Sequence, residues 1–510
     1  MQHTEARANM PQKLLPLLML IATPALAVDC EQLGTLDTGY TEIVSAGTVA
    51  AGAFEPPAGR GRFGGFGQQA YEGLSAFCRV VAISRPAEGS EIGIEVWLPD
   101  TGWNGKLQTV GNGGWAGSIG HSTMAGALTD GYAVAATDTG HQGGTPDFLF
   151  EHPDKLIDFS HRAVHETAVL AKQVIAAFYE RPHERAYFTG CSTGGRQALT
   201  AAQRYPEDFD GIVAGAAAYY PSHIHGTQVW IGAISNRSEE ARLTGDQFSL
   251  LNEASIAACD TIDGVADGVI ENPQQCDFDP ATLACPAAGG TACLNPEQVE
   301  TARLAYRGPT DGNGASVFSG LTRGSESGWN TLSGTQPLSI ARETYEILVY
   351  GDDPDWDWRS FDPVNDIDTA VERIGPLMNS ADPDISEFVG HGGKLILYHG
   401  WNDSGIPPGG TIRYYDAVSD SLGAELADDN VRLFMVPGMG HCAGGTGTDR
   451  FDLIATLDNW IDTDEAPERV EAARIVGGET VRTRPLCAWP AAADYDGNGS
   501  TDEAENFSCR

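Results

Sequence analysis

Ser192 stands in the frame Gly190-Cys191-Ser192-Thr193-Gly194, inside the stretch AYFTGCSTGGRQAL (186–199). A serine hydroxyl is a weak nucleophile at neutral pH. It reacts when a base lies in hydrogen-bond reach and an acid orients that base. Here the serine falls between a strand pattern, RAYFTG (185–190), and a helical pattern running from Thr193 to about Arg204. Glycines two residues to either side permit a sharp strand-to-helix turn that lifts the hydroxyl above a sheet edge. Two later segments supply partners in chain order. LILYHGWNDSGIPP places Asp403 after one strand pattern, and LFMVPGMGHCAGG places His441 after the next. Strand ends on one edge of a parallel sheet converge, so the three residues can meet.

A cysteine adjoins each half of the candidate pair: Cys191 beside Ser192, and Cys442 beside His441. If serine and histidine touch, their neighbours fall within the ~4.4–6.8 Å Cα separation of a disulfide. A Cys191–Cys442 bond would then tie nucleophile to base. Among the other cysteines, local spacing suggests Cys259–Cys276, Cys285–Cys293 and Cys487–Cys509, although spacing does not fix connectivity. The oxyanion formed during attack needs preorganised donors. The N–H of Thr193 is one by the geometry of the turn. VGNGGWAG offers the second from Gly113 or Gly114, with both left open. Trp115 in the same loop either floors an aromatic pocket or belongs to the core.

CDTIDGVADGVI brings Asp260, Asp263 and Asp267 together with Gly264 and Gly268. Close-set carboxylates on such a loop repel unless a hard cation is present, and calcium suits their oxygens. DYDGNGSTDEAE, from Asp494 to Glu505, partly fits a calcium-loop pattern. Thr501 stands where that pattern packs an aliphatic residue, so a surface loop is the preferred reading. His161 and His165, four apart on a helix, read as structural histidines. His141 follows a strand but precedes Ser192, which makes it a poorer base than His441.

These motifs resemble the tannase and feruloyl esterase family, which includes mono(2-hydroxyethyl) terephthalate hydrolases. Cys191-Ser192, Asp403 and His441-Cys442 are its most specific marks, with GNGGWAG, DTGH, HGWNDSGIPP and GMGHCAGG in the family's order. The resemblance covers nearly the whole chain beyond residue 27. It implies an α/β-hydrolase core, an inserted lid, and hydrolysis of aromatic-acid esters with no organic cofactor. It also implies the pairings Cys30–Cys78, Cys191–Cys442, Cys259–Cys276, Cys285–Cys293 and Cys487–Cys509. The carbonyls of Val265 and Val269 become further ligands of a structural calcium. In the lid, Trp329 and Arg342 are candidates for stacking on the substrate ring and meeting an acid group.

The elements needed to position these residues are legible. EIGIEVWLP (91–99), KLQTVGNGG (106–114), YAVAATDTG (132–140), GIVAGAA (211–217), GKLILYHG (393–400) and VRLFMVPG (431–438) read as strands. Residues 158–180 carry apolar positions at helical spacing. The expected architecture is α/β: a doubly wound, mostly parallel sheet of α/β-hydrolase type with a large inserted lid domain. The catalytic domain is expected over 28–220 and 385–510, and the lid, with its calcium loop, over 221–384. Lys13 followed by LLPLLMLIATPALA reads as a signal peptide over 1–27, so a secreted or periplasmic protein is expected. A formal net charge of −39 disfavours nucleic acid and anionic membranes as partners; the family resemblance implies a small aromatic ester as the partner instead. The oligomeric state is not readable. The sequence reading favours a feruloyl esterase-like serine carboxylesterase. The alternatives are a tannase, a terephthalate monoester hydrolase, or an inactive binding protein on the same scaffold.

Overall fold

Nine strands form one sheet in the order β1-β2-β3-β5-β4-β6-β7-β8-β9. The computed structural model describes residues 29–57, 69–286 and 292–510, together with Met1. The strands are β1 (Thr41–Val49), β2 (Phe77–Ser84), β3 (Ile92–Pro99), β4 (Lys106–Val110), β5 (Ala133–Thr137), β6 (Arg185–Cys191), β7 (Gly211–Gly215), β8 (Lys394–Gly400) and β9 (Val431–Val436). From β1 through β2 and β3 to β5 the pairings are antiparallel, and from β5 to β9 they are parallel.

The parallel strands bury both faces, which explains their continuous apolar runs. On β5, Ala133 and Ala135 face one core while Val134 and Ala136 face the other; on β8, Leu395 and Leu397 oppose Ile396 in the same way. Helix α1 (Ala163–Tyr179) covers the first face with Leu170, Val174, Ile175 and Phe178. The helices His121–Thr129 and Leu453–Thr463 cover the second with Met124, Leu128, Leu457 and Trp460. This is the doubly wound sheet that the sequence predicts.

The long connection from β7 to β8 builds its own core. Trp230, Phe248, Leu251, Val299, Trp329, Tyr345 and Ile374 pack together there, joined by Trp115, Phe148 and Phe159 from loops of the sheet. The ten cysteines form Cys30–Cys78, Cys191–Cys442, Cys259–Cys276, Cys285–Cys293 and Cys487–Cys509. Five disulfides suit an oxidising compartment. Among the described residues, no helix is long and apolar enough to cross a membrane. Apart from Met1, the signal peptide expected over 1–27 lies outside the described residues.

Three elements differ from the sequence reading or were missing from it. The first turn of the 158–180 helix is a π-turn, Asp158–Arg162, in which the buried Asp158 accepts hydrogen bonds from Ser90 and Arg162. β1 and β2, for which no strand was predicted, extend the antiparallel edge. A separate antiparallel hairpin, β10 (Arg469–Val476) with β11 (Glu479–Cys487), follows the sheet.

The strand-to-helix turn joins β6 to α2 (Thr193–Arg204). A Cβ on Gly190 would lie 2.5 Å from the backbone carbon and oxygen of Gly194, so glycine alone lets the chain double back there. Gly190→Ala should therefore cost about 1–3 kcal/mol through overpacking and lower the melting temperature. Gly34→Ala, where an added Cβ meets nothing within 4 Å, should leave it unchanged. Thermal denaturation of the two variants checks the contrast.

Candidate active site

Ser192 sits between β6 and α2 with φ 63° and ψ −122°. Such a conformation costs on the order of 1–3 kcal/mol and persists only when its surroundings hold it. Here the Ser192 N–H donates to Gly215 O at 3.0 Å, and the Ala218 N–H donates to Ser192 O at 3.0 Å. The half-buried hydroxyl stands at the N-terminus of α2, where unpaired N–H groups favour developing negative charge.

Asp403 and His441 arrive from the ends of β8 and β9. The Trp401 N–H donates to Val436 O at 2.9 Å and the Asn402 N–H to Met439 O at 2.8 Å, so the two loops run together. Gly400 permits this approach: a Cβ there would meet Met439 O at 2.4 Å and Gly440 O at 2.5 Å. His441 Nδ1 bonds Asp403 Oδ2 at 2.6 Å, the only hydrogen bond of that ring among the described residues. The Asp403 side chain is fully buried, while that of His441 remains 38% exposed. The N–H groups of Gly405 and Ile406 donate to Asp403 Oδ1 at 2.8 and 2.9 Å. His399 Nε2 faces Asp403 Oδ2 at 3.0 Å and Ile406 O at 3.1 Å, so that nitrogen carries the hydrogen.

The electrostatics follow from this packing. Burial pushes the Asp403 carboxyl up, but the charge of His441 and the hydrogen bonds of His399 and His441 outweigh it and hold the group well below the usual carboxylate range. Burial disfavours the charged His441 ring, yet the facing Asp403 carboxylate prevails and raises its pKa above the ordinary imidazole value.

The flanking cysteines bond with their Cα atoms 6.0 Å apart across a sequence separation of 251. They tie the Ser192 turn to the His441 loop. Among the described residues, the Ser192 hydroxyl makes no hydrogen bond, so its approach to His441 is set by this tether and the two loops. Catalytic hydrogen bonds of ligand-free enzymes are commonly long and tighten in the substrate complex.

The glycine loop after β4 lies over the start of α2, and Thr193 Oγ1 donates to Gly114 O at 3.1 Å. The N–H groups of Thr193, Gly113 and Gly114 have no hydrogen-bond acceptor among the described residues, leaving all three available to an oxyanion. Trp115 is 4% exposed and donates from Nε1 to Glu343 Oε2 at 3.0 Å. It lines a cleft with Thr193, Phe159, Ala218, Ile340 and Met378. The free volume of this cleft is about 10 Å³, room for about one water.

His141 bonds Trp115 O through Nε2 at 2.7 Å and stacks on Phe148 at 3.9 Å, so it positions the tryptophan loop. His161 bonds Tyr205 and His165 bonds Asp208, matching their structural reading. Trp329 is not brought to the cleft. It is wholly buried in the core of the insertion and donates to Ser325 Oγ at 2.9 Å. Arg342 pairs with Glu346 at 3.7 Å and does not line the cleft, although its helix, Ser339–Glu343, supplies Ile340.

Two site residues escaped the sequence reading. His399 lies four positions before Asp403 at the same strand end, a spacing that could have drawn attention. Arg196 gave no such signal: it is 1% exposed, lines the cleft, and donates to Ser160 O and Phe159 O at 2.9 and 3.2 Å, with no carboxylate partner among the described residues.

In the acidic loop, Asp260 Oδ1 accepts from the N–H groups of Asp267, Gly268 and Val269, and Asp263 Oδ1 accepts from Val265. Asp267 pairs with Arg482 at 3.2 Å and with Arg484. Among the described residues, no three carboxylate, histidine or cysteine side chains form a metal cage. Among the described residues the second carboxylate oxygens of Asp260 and Asp263 accept no hydrogen bond, whereas the carbonyls of Thr261 and Asp267 accept from the Gly264 N–H and from Arg482. In the C-terminal loop, Asp494 and Asp496 pair with Arg510, as suits a surface loop.

Residues 78–510 match the family model described as tannase and feruloyl esterase. An uncharacterized esterase of Xanthomonas campestris is 35% identical, with 96% of this chain and 92% of that protein aligned. A probable feruloyl esterase B-1 of Aspergillus flavus is 30% identical over 85% of this chain and 86% of its own. The crystal structure of feruloyl esterase B from Aspergillus oryzae superposes with a TM-score of 0.87 at 27% identity, covering 94% of this chain and 99% of that one. A tannin acyl hydrolase from Aspergillus niger shares the fold at 22% identity, with a TM-score of 0.77, over 96% of this chain and 94% of its own.

If His441 acts as a base, it must be neutral, and its raised pKa delays that state as pH rises. The acidic limb of the kcat/KM profile should therefore lie above the ordinary imidazole value of about 6.5. Asp403→Asn removes the charge that raises it, so the limb should move to lower pH while kcat falls by about 10³–10⁴-fold. A pH–rate profile of both proteins reads the two effects.

Proposed function

The chain belongs to the tannase and feruloyl esterase family and is a carboxylic ester hydrolase, and from that membership we propose that it cleaves esters of hydroxycinnamic and related phenolic acids, feruloyl esters foremost. Ser192 attacks the ester carbonyl as His441 takes its proton. His441 then passes that proton to the departing alcohol. Asp403 keeps the imidazole in the tautomer with Nδ1–H and stabilises the imidazolium. The oxyanion is received by Thr193 N–H and by Gly113 or Gly114; one such donor is worth ~2.7–4 kcal/mol of barrier. Water activated by the same histidine releases the acid.

The supporting observation is the Asp403–His441 hydrogen bond beside a disulfide that ties the histidine loop to the Ser192 turn. An inactive binding scaffold would have no need of that combination. The phenolic preference is supported by the relatives named feruloyl esterase and by Trp115 and Phe159 beside Thr193. A cleft this tight must widen for an aromatic acyl group. Ile340 and Met378, contributed from the β7–β8 connection, form part of its wall.

We also propose that the loop holding Asp260, Asp263, Val265, Asp267 and Val269 takes a structural calcium. Bound there, the ion would neutralise carboxylate charge and brace the loop closed by Cys259–Cys276.

Two measurements test these readings. Methyl ferulate should give a higher kcat/KM than methyl gallate, chlorogenate, a terephthalate monoester or simple aliphatic esters, and Ser192→Ala should lose both turnover and labelling by a fluorophosphonate. A gallate or terephthalate preference would reassign the substrate, and full activity in Ser192→Ala would remove the mechanism. For calcium, EGTA should lower the melting temperature and added calcium restore it; an unchanged melt with no bound metal by elemental analysis would refute the site.

A further inference from the structure

A second concavity opens in the β7–β8 connection, between the helix Pro296–Arg307 and the segment 277–280. Its volume is about 310 Å³, at the lower end of the range typical of small-molecule sites. It shares no lining residue with the cleft beside Ser192.

Three guanidiniums, of Arg303, Arg307 and Arg323, line this cleft against two carboxylates, of Asp277 and Asp279. That balance is unusual in a chain with 31 basic and 70 acidic residues. Arg303 is already committed: it donates from Nε and Nη2 to Asp279 at 2.9 and 2.6 Å. Arg323 is not neutralised. Its Nε and Nη2 both donate to the single carbonyl of Phe278, at 3.2 and 3.1 Å, and it has no carboxylate partner among the described residues. The Arg323 guanidinium lies 4.6 Å from the Tyr306 ring centre, a contact that orients it and leaves its charge in place. Arg307 is exposed, and its side chain makes no hydrogen bond or ion pair among the described residues.

Two uncommitted guanidiniums against the one unpaired carboxylate of Asp277 leave a surplus of one positive charge. A planar guanidinium pairs well with a carboxylate. Asp277 and Asp279 on the same walls disfavour a more highly charged anion such as phosphate. Phe278 and Tyr306 also line the cleft, with Phe278 largely buried in the core and the Tyr306 ring already set against Arg323 and Trp329.

We propose that this cleft binds a small organic monocarboxylate through Arg307 and Arg323, at a site distinct from the one at Ser192. Two sources share that chemistry: a free aromatic acid, the class of product released under the proposed function, and a uronic acid unit of a polysaccharide. The site stands whether or not the ester specificity proposed above holds, because nothing in it depends on Ser192.

Isothermal titration of the full chain with ferulate, galacturonate, the neutral amide of ferulate and inorganic phosphate tests the proposal. At least one of the two acids should bind in a salt-sensitive manner, and Arg307→Glu should weaken that binding tenfold or more. Arg323→Gln should weaken it in the same direction. Arg359→Glu, an exposed arginine paired with Asp357 outside the cleft, controls for net charge and should change nothing. Arg307 has no hydrogen-bond or ion-pair partner among the described residues, so circular dichroism and melting of its variant should match the parent. Loss of ferulate binding alone identifies the aromatic acid as ligand, and loss of galacturonate binding alone identifies the uronate. The proposal is overturned if neither acid binds, if Arg307→Glu and Arg323→Gln bind both acids like the parent, or if phosphate binds more tightly than either acid.

Discussion

A carboxylate with no exposure to water is the constraint around which the site is organised. Removing such an ion from water costs several kcal/mol even after relaxation, and only pairing and hydrogen bonds offset it. Asp403 receives four: the N–H groups of Gly405 and Ile406 on one oxygen, and His399 and His441 on the other. Each depends on the chain turning back directly after β8. The carboxylate can point only where this cradle directs it, and the orientation of His441 follows. His399 is itself anchored by Thr411 at 2.7 Å, so the cradle extends into the next helix.

The connection between β7 and β8 is a structural partner of that cradle as well as a wall of the cleft. Thr322 donates its hydroxyl hydrogen to Trp401 O, Asn402 Nδ2 donates to Gly324 O at 2.7 Å, and Gln228 Nε2 donates to Gly405 O at 2.7 Å. All three contacts fall within two residues of Asp403. The connection that supplies Ile340 and Met378 to the cleft thus also braces the loop that carries Asp403. The Cys191–Cys442 bond completes the arrangement from the other side. Its closed loop of about 250 residues is the long-loop case, for which chain-entropy models give up to about 5 kcal/mol before native-state strain is subtracted.

The sequence made the parallel half of the sheet and the strand ends that carry the candidate site legible because both are local patterns. Doubly buried strands are continuous apolar runs, and the turn at Ser192 announces itself through glycines. Asp403 and His441 each follow a strand pattern directly. The outermost antiparallel strand was not legible: β1 is partly exposed and its register slips between Ile43 and Ser45, which blurs the alternation that marks a strand. Arg196 was hidden for a different reason. On a helix it has the spacing of any polar residue, and its burial depends on carbonyls of the π-turn more than thirty residues earlier. Trp329 illustrates the converse. Tryptophan in an insertion suggests a substrate platform, but only tertiary packing shows that this ring is spent on the core, edge-on to Tyr306 at 4.9 Å.

Charge acts on two length scales here. A net charge of −39 creates a field that repels anions over the whole surface, yet salt confines it to a Debye length of about 8 Å at physiological ionic strength. An ester is neutral at the bond to be cleaved, so it approaches without this penalty, whereas the acid left after cleavage is an anion. The field therefore discriminates between substrate and product without contacting either, and favours departure of the acid. Within contact range the balance reverses wherever a guanidinium lacks a carboxylate partner, as is so among the described residues for Arg196 beside the cleft and for Arg307 and Arg323 in the second cavity. Local cations on an acidic protein select anions by geometry, because only a ligand that reaches the guanidinium escapes the repulsion of everything around it.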